Sequence, residues 1–334
     1  MDKQAQFSGT AEVREQHRFD QSSLLNWMKN NVDGFSGPLS IEQFKGGQSN
    51  PTYKLITPGH SYVMRRKPPG QLLKSAHAVD REYRVITALH GAGFPVARTY
   101  GLCTDESVIG TWFYVMDCVE GRVIWDTSFP DVPKAERAAY FDAMNATLAQ
   151  LHTIDHEKIG LSDYGKTGNY FERVADMDKL VEWLPSHIPA GDESTIVHGD
   201  FRCDNMIFHP SEPRVLAVLD WELSTLGHPL ADFTYHLMMY RMPPGITAGL
   251  VGTDLAAAGI PSEQEYVARY CERTGRDGIE NLSFYLSFNM FRLAAILHGI
   301  KGRVARGTAA SAHAKQMASF VEPLAEMALK QTQG

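Results

Sequence analysis

The chain lacks the features that mark a membrane protein, a disulfide scaffold or a repeat array. Its longest candidate span, "FNMFRLAAILHGIKGR", is broken by Arg292 and is too short to cross a bilayer. The opening residues, "MDKQAQFSGTAEVREQ", are polar and carry no apolar signal core. There are only four cysteines, Cys103, Cys118, Cys203 and Cys271, far apart and without a C-x-x-C pair. That spacing argues against a disulfide framework and for a reduced, cytoplasmic protein. No internal repeat or low-complexity segment is visible. Positive charge is not in excess: the net charge is −7 and the pI about 6.0. Neither nucleic acid nor a membrane surface is therefore expected as a partner.

One absence is local. From Asn281 to Val321 there is no Asp or Glu, while the same stretch carries Arg292, Lys301, Arg303, Arg306 and Lys315 with His298 and His313. In an acidic chain this is an inversion of sign. It reads either as a solvated basic face or as a patch for an anionic small molecule.

What is present suits a bilobal globular protein: 334 residues, 43% hydrophobic and 21% charged. Asp20 is placed to cap a helix over "QSSLLNWMKNN", ending before Asp33-Gly34. "LSIEQFKGG", "PTYKLIT" and "SYVMRRK" alternate as short strands between Gly-Gly and Pro-Gly turns. "SAHAVDREYRVITALHGAG" predicts a helix from Ser75 to Gly91. Strands follow near "RTYGLCT" and "TWFYVMDCV", joined by an Asp105-Glu106 turn. Beyond "EGRVIWD" helices dominate: "PKAERAAYFDAMNATLAQLHTI", "YFERVADMDKLVEWLPSHI", then 230–241, 262–274, 280–300 and 308–331. Short strands are expected at "TIVHG", "NMIFH" and "VLAVLDW". The fold class expected is α+β, a strand-rich lobe over 1–118 and a larger helical lobe over 119–334, hinged with a shared cleft.

The chemistry concentrates in "IVHGDFRCDNMIF". Asp200 is followed at Asp200-x-x-x-x-Asn205 by an amide, and Asp220 ends the apolar run "RVLAVLD". A carboxylate and an amide oxygen form a hard pair suited to Mg²⁺, and a second carboxylate can accept a proton from an alcohol. The interval equals that of the protein-kinase loop H-R-D-x-x-x-x-N, which is also followed by a magnesium-binding Asp. Two further residues stand out by periodicity. In "YVMRRKPPG" alternation sets Tyr62, Met64 and Arg66 on one face and Val63 and Arg65 on the other. In the helix, Val79, Tyr83, Ile86 and Leu89 or His90 form an apolar stripe with Glu82 inside it. A buried carboxylate requires a cation, and Arg65 is the candidate. His152 reads as a packed helix histidine, Asp232 as a cap or loop brace, and Cys203 as incidental.

With "HGDFRCDN" and "VLDWELSTLGHPLADF" together, the sequence resembles the aminoglycoside phosphotransferase and choline kinase superfamily, relatives of the protein kinases. "GGQSNPTYKL", "YVMRRKPPG" and "HAVDREYRVITAL" resemble in particular the kinase-like domain at the front of some long acyl-CoA dehydrogenases. The resemblance covers roughly 40–310. It implies a protein-kinase-like two-lobed fold and an ATP- and Mg²⁺-dependent transfer of phosphate to the hydroxyl of a small molecule. It further implies Asp200 as catalytic base and His198 as a brace of the loop. Asn205 and Asp220 would hold Mg²⁺. Gly46, Gly47, Ser49 and Asn50 would form the turn over the phosphates, although no G-x-G-x-x-G is present. Arg65, paired with Glu82, would be the phosphate ligand, with Arg66 and Lys67 as alternatives. The backbone of Asp117 and Val119 would receive adenine. Trp221 replaces the Phe-Gly that follows the metal Asp in protein kinases, so no flipping activation segment is expected. For the acceptor, Arg292, Tyr285 and Phe288 are the candidates, and an anionic hydroxy acid or its CoA thioester is the class they suggest. A kinase-like module without catalysis and an aminoglycoside kinase remain as alternatives.

Overall fold

The computed structural model describes residues 9–45, 50–68, 78–168, 170–171, 183–244, 249–305 and 317–332. Contacts divide the chain into two compact units. The first holds Met1–Trp125, Glu157–Leu161 and Asp204–Ser224; the second holds Asp126–His156, Ser162–Cys203 and Thr225–Gly334. The grouping is not contiguous in sequence: the segment with Asn205 and Asp220 belongs to the first unit.

The first unit is built on a six-stranded antiparallel sheet in the order β1-β2-β3-β4-β6-β5. Its strands are β1 (Thr10–Ala11), β2 (Ser40–Phe44), β3 (Thr52–Ile56), β4 (Ser61–Arg66), β5 (Thr99–Cys103) and β6 (Phe113–Asp117). Helix α1 (Gln21–Asn31) starts at Asp20, whose carboxylate accepts from the Ser22 and Ser23 N–H groups. Two otherwise unsatisfied donors of the first turn are thereby met. Leu24 and Met28 of α1 pack with Tyr53, Leu55, Tyr62, Met64, Phe113 and Val115 on one face of the sheet. The alternation of β4 thus buries Tyr62 and Met64 there and turns Arg65 to the opposite face.

That opposite face carries α2 (Val79–Gly91). Its buried residues are Val79, Glu82, Val85, Ile86 and Leu89; Tyr83 is half-buried and His90 exposed. The stripe therefore runs through Val85 where Tyr83 is expected, because the sheet covers the side of the helix centred on Glu82 and Ile86. The Ser75 cap lies outside the described residues. The Asp105-Glu106 turn is a full helical turn, Glu106–Ile109, capped by Asp105. The unit also includes the hairpin of β8 (Met206–Phe208) and β9 (Val215–Val218).

In the second unit, α3 (Lys134–Thr153) packs on α5 (Glu263–Thr274); Phe141 meets Tyr266 edge-on at 6.2 Å. Ser262 and Glu265 close a reciprocal capping box at the start of α5. Helix α4 (Pro229–Leu237) lies against α6 (Leu282–Ala305), and α6 against α7 (Val321–Gln331). A two-stranded ladder joins β7 (Thr195–Val197) to β10 (Thr225–Gly227). β10 is absent from the sequence reading, since "STLGHP" carries Gly and Pro and only three residues pair. Most of the helix expected over 170–188 lies outside the described residues, as does the first part of that expected over 308–331.

Candidate active site

Arg65 organises the first unit's polar centre. Across the β4–β6 ladder it is opposite Tyr114. Its Nε lies 2.8 Å from Glu82 Oε2, and its Nη2 lies 2.7 Å from Asp220 Oδ1 and 3.4 Å from Glu222 Oε2. Glu82, 2% exposed, also receives Asn50 Nδ2 at 2.8 Å and the Tyr114 hydroxyl at 3.1 Å. The carboxylate inside the helix stripe thus has the cation its burial demands. Burial pushes the Glu82 carboxyl up to about 7, assisted by Asp220 and Glu222, while Arg65 and the Tyr114 hydroxyl hold it down. Burial works against the Arg65 charge too, but Glu82 and Asp220 outweigh it and raise the guanidinium above its ordinary value.

Arg66 and Lys67 go elsewhere. Arg66, 2% exposed, lies over the rings of Phe19 and Tyr53 at 5.1 and 5.6 Å. Lys67 sits over Trp112 at 4.0 Å and 4.0 Å from Asp80. Of Arg65, Arg66 and Lys67, Arg65 is the one that shares a network with Asp220.

The β8–β9 hairpin positions Asn205 and Asp220. Met206 pairs with Val218, and the Leu219 N–H donates to the Asn205 carbonyl at 2.8 Å. Both residues therefore stand at one end of the hairpin. Asp220 has φ 63° and ψ 59°, the left-handed region, which costs a non-glycine residue energy and which Asp tolerates better than most. Trp221 fixes this turn: it is 1% exposed, its Nε1 donates to the Val218 carbonyl at 3.0 Å, and its ring meets Phe94 edge-on at 5.8 Å. An amide and a carboxylate at one hairpin end are hard oxygen donors that fit Mg²⁺, an ion usually held by one or two protein oxygens plus phosphate and water. Among the described residues there is no cage of three or more His, Cys, Asp or Glu.

At the end of β6, the Asp117 N–H donates to the Arg98 carbonyl and the Cys118 N–H to Ser61. The Asp117 carboxylate accepts from the Tyr100 hydroxyl at 2.6 Å and lies 2.9 Å from His60 Nε2. Among the described residues no hydrogen bond uses the Val119 N–H. Gly46, Gly47 and Ser49 lie outside the described residues. Asn50 is described, and its amide is committed to Glu82.

The second unit carries the His198–Asp200 loop. Asp232, buried at the start of α4, accepts the His198 N–H at 2.7 Å on Oδ2 and the Gly199 N–H at 2.8 Å on Oδ1. His152 Nε2 lies 3.3 Å from the same Oδ2, and its Nδ1 meets the Tyr270 hydroxyl at 2.7 Å. Burial alone would raise the Asp232 carboxyl; the hydrogen bonds and charge of His152 and His198 reverse this and hold it below the usual carboxylate range. His198 is fully buried, and its Nδ1 accepts the Asp200 N–H at 3.2 Å. Asp200 Oδ1 receives the Tyr235 hydroxyl at 2.6 Å and lies 3.4 Å from Arg202 Nε.

Tyr285 and Phe288 are buried with Phe284 around Phe171, at centroid distances of 5.4, 5.0 and 5.4 Å. Tyr285 also stacks on His228, and burial pushes its phenol up to about 12. Arg292, half-buried, follows Phe288 by one turn of α6. Its charge, with that of Arg202, acts on Tyr235: burial and Asp200 raise that phenol, and the two guanidiniums oppose them. The charge of Arg292 is thus felt at the Tyr235 phenol.

Glu222, Tyr114, Tyr235 and Arg202 are missing from the sequence reading. Glu222 carried a signal, an acid two residues after Asp220 on an irregular turn. Tyr235 carried one only jointly with Asp232, three residues before it on the same helix face.

The model of the phosphotransferase enzyme family matches residues 40–285. Acyl-CoA dehydrogenase family member 11 of Gallus gallus is 44% identical over 347 residues, covering 96% of this chain and 44% of the relative. The chain therefore spans less than half the length of that relative. A crystal structure of a candidate aminoglycoside phosphotransferase from Ralstonia eutropha is 52% identical with a TM-score of 0.88, covering 95% of this chain and 99% of that one. Spectinomycin phosphotransferase in complex with ADP and spectinomycin shares the fold at 12% identity, with a TM-score of 0.62 over 94% and 98% of the two chains. The antiparallel sheet of the first unit, the helices of the second and these matches agree: the fold is α+β and kinase-like, and the chain belongs to the phosphotransferase enzyme family.

Proposed function

We propose that the chain is a Mg·ATP-dependent small-molecule kinase that transfers the γ-phosphoryl group to an alcohol. The observation that carries this reading is the Arg65 network, in which one guanidinium joins the helix carboxylate Glu82 to the strand-end carboxylate Asp220. A purely structural pair would not need the second acid. Residues 1–118 serve to cover the nucleotide, with the backbone of Asp117 and Val119 receiving adenine and Gly46, Gly47 and Ser49 facing the phosphates. Asn50 acts by holding Glu82. Residues 119–334 supply the catalytic loop, the metal ligands and the acceptor site.

In the reaction, the acceptor oxygen bonds to the γ-phosphorus as the bond from that phosphorus to the β,γ-bridging oxygen breaks, and ADP leaves. Asp200 takes the hydroxyl proton. His198 holds the loop through the Asp200 N–H. Arg65 holds phosphate oxygens through its planar fork. Asn205 and Asp220 would hold Mg²⁺, which would neutralise phosphate charge.

For the acceptor we favour an anionic hydroxy compound, a hydroxy acid or a hydroxyacyl-CoA. Arg202 Nε lies 3.4 Å from Asp200, and the charge of Arg292 reaches Tyr235, so a polycationic aminosugar would be repelled there and a carboxylate steered. Tyr285 and Phe288 contribute by packing the helix that carries Arg292. The names of the long relatives point to the same acceptor class. The rival readings are a nucleotide-binding module without turnover and an aminoglycoside kinase.

A panel of hydroxy acids, hydroxyacyl-CoA thioesters and aminoglycosides, incubated with Mg·ATP and read by mass spectrometry, decides among them. A phosphorylated anionic product is expected. Its formation should fall about 10²-fold or more in Asp200→Asn while ATP affinity is kept. ATP binding without any product would favour the module, and a phosphorylated aminoglycoside would favour the antibiotic kinase.

A further inference from the structure

One helix holds the catalytic loop at four successive residues, His198 to Phe201. Asp232, Tyr235 and His236 stand at i, i+3 and i+4 on α4 and so share a face. Asp232 accepts the N–H groups of His198 and Gly199. Tyr235 donates to the Asp200 carboxylate. His236 Nδ1 lies 3.1 Å from the Phe201 carbonyl, and its Nε2 lies 2.7 Å from the Tyr266 hydroxyl. The helix is itself tied down. Asn289 of α6, fully buried, donates to the Ala231 carbonyl and to Thr234 Oγ1, each at 2.8 Å.

Asp232 and His236 touch only the backbone of the loop, and their contacts are accounted for by its folding. Tyr235 is different, because it binds the side chain that the reaction uses. We propose that Tyr235 is a positioning residue for the phosphoryl transfer, its hydroxyl fixing the orientation of the Asp200 carboxylate. The proposal rests on Asp200 being the proton acceptor.

A carboxylate on a single β-carbon rotates freely about its last bond, because that torsion has only broad minima. A proton is taken efficiently only when an oxygen lies within hydrogen-bond reach of the hydroxyl and along its axis. The 2.6 Å hydrogen bond to Oδ1, with Arg202 Nε 3.4 Å from the same oxygen, sets the plane of the carboxylate and with it the direction of Oδ2. The bond to a charged acceptor is of the stronger kind, and the phenol has a rigid ring with no soft torsion between the helix and its oxygen beyond χ1 and χ2. A helix pinned by Asn289 makes a stiffer support than a loop residue would.

The test uses the full chain with Mg·ATP and water as the acceptor, read as ADP release. Tyr235→Phe keeps the ring and removes the donor. It should lower kcat about 10- to 100-fold while KM for ATP changes less than about twofold. The thermal midpoint should stay within a few degrees. In an Asp200→Asn background the same substitution should leave the residual rate unchanged, because a residue that acts through Asp200 has nothing left to act on. Unchanged kcat in Tyr235→Phe, or losses that multiply in the double variant, overturn the proposal. A second readout needs no turnover: the ¹³C-carboxyl resonance of Asp200, identified by its loss in Asp200→Asn, should move in Tyr235→Phe. A resonance that stays in place overturns the contact even if the chain is an active kinase. Failure of the wild-type chain to bind ATP or release ADP would remove the kinase reading, and this role with it.

Discussion

Glu82 shows how a polar group is made obligatory. It sits in the apolar stripe of a helix, 2% exposed, and each of its oxygens faces a donor. Arg65 supplies the positive charge and shares it with Asp220 and Glu222. Breaking a buried pair by removing one member leaves a charge without compensation, which costs about 3–5 kcal/mol. Arg65→Met is therefore expected to destabilise the first unit by about that much, seen as a lower urea midpoint at unchanged slope. Adding Glu82→Gln removes the stranded charge and should recover a part of the loss. A double variant less stable than Arg65→Met alone would show that the pair is not what Glu82 requires. Arg66 is the contrast: as deeply buried, it rests on two aromatic rings, and burial depresses its ordinary value.

The β8–β9 hairpin is the element on which the metal candidates depend, and its position is set by a close approach. Arg122 and Phe208 exchange backbone hydrogen bonds at 3.0 and 2.9 Å. The neighbouring Gly121 makes this fit possible, since a Cβ there would lie 2.4 Å from both Ile207 Cγ2 and the Phe208 carbonyl oxygen. The carbonyl is backbone and cannot step aside as a side chain would. Gly121→Ala should thus push the segment after β6 away from the hairpin, at a cost of about 1–3 kcal/mol. It should also weaken Mg²⁺-dependent nucleotide binding more than metal-free binding. Equal loss of both would mean that the strain spreads through the unit without moving Asn205 and Asp220.

At the scale of the whole molecule, the second unit carries a built-in sensitivity to acid. Burial holds His228 and His236 down to about 4. An unfolded histidine takes up its proton near pH 6.5, so between about 6.5 and 4 the unfolded chain binds more protons than the folded one. Stability is complete above that range and falls as the pH drops through it, by on the order of 1 kcal/mol per pH unit for each histidine. Asp232 and Glu193, both held below their ordinary values, add to the loss from about pH 5 downward. Denaturation curves at pH 7.5, 6 and 5 should show this decline, with a shallower slope in His236→Asn. A profile flat from 7.5 to 5 would contradict the burial of both rings as neutral imidazoles.

Much of this was readable in one dimension. The strands of the sheet from β2 onward, the helix cap at Asp20 and the burial of Glu82 follow from period and local chemistry, because alternation and the helical repeat act over a few residues; the two-residue β1, in a polar opening segment that reads as a loose arm, does not. The spacing of Asp200, Asn205 and Asp220 is equally local to one stretch of chain, and it carries the family resemblance. Other features arise only when distant residues meet. The brace on the loop comes from Asp232, 34 positions from His198, and from His152, 80 positions from Asp232. Tyr235, 35 positions from Asp200, lies in the apolar run "LADFTYHLMMY", where a phenol reads as core. Buried aromatic rings in a helix look alike in sequence whether they fill space or hold a carboxylate. Which of them does the second depends on where one terminal oxygen falls, and only the packing of α4 against α6 decides that.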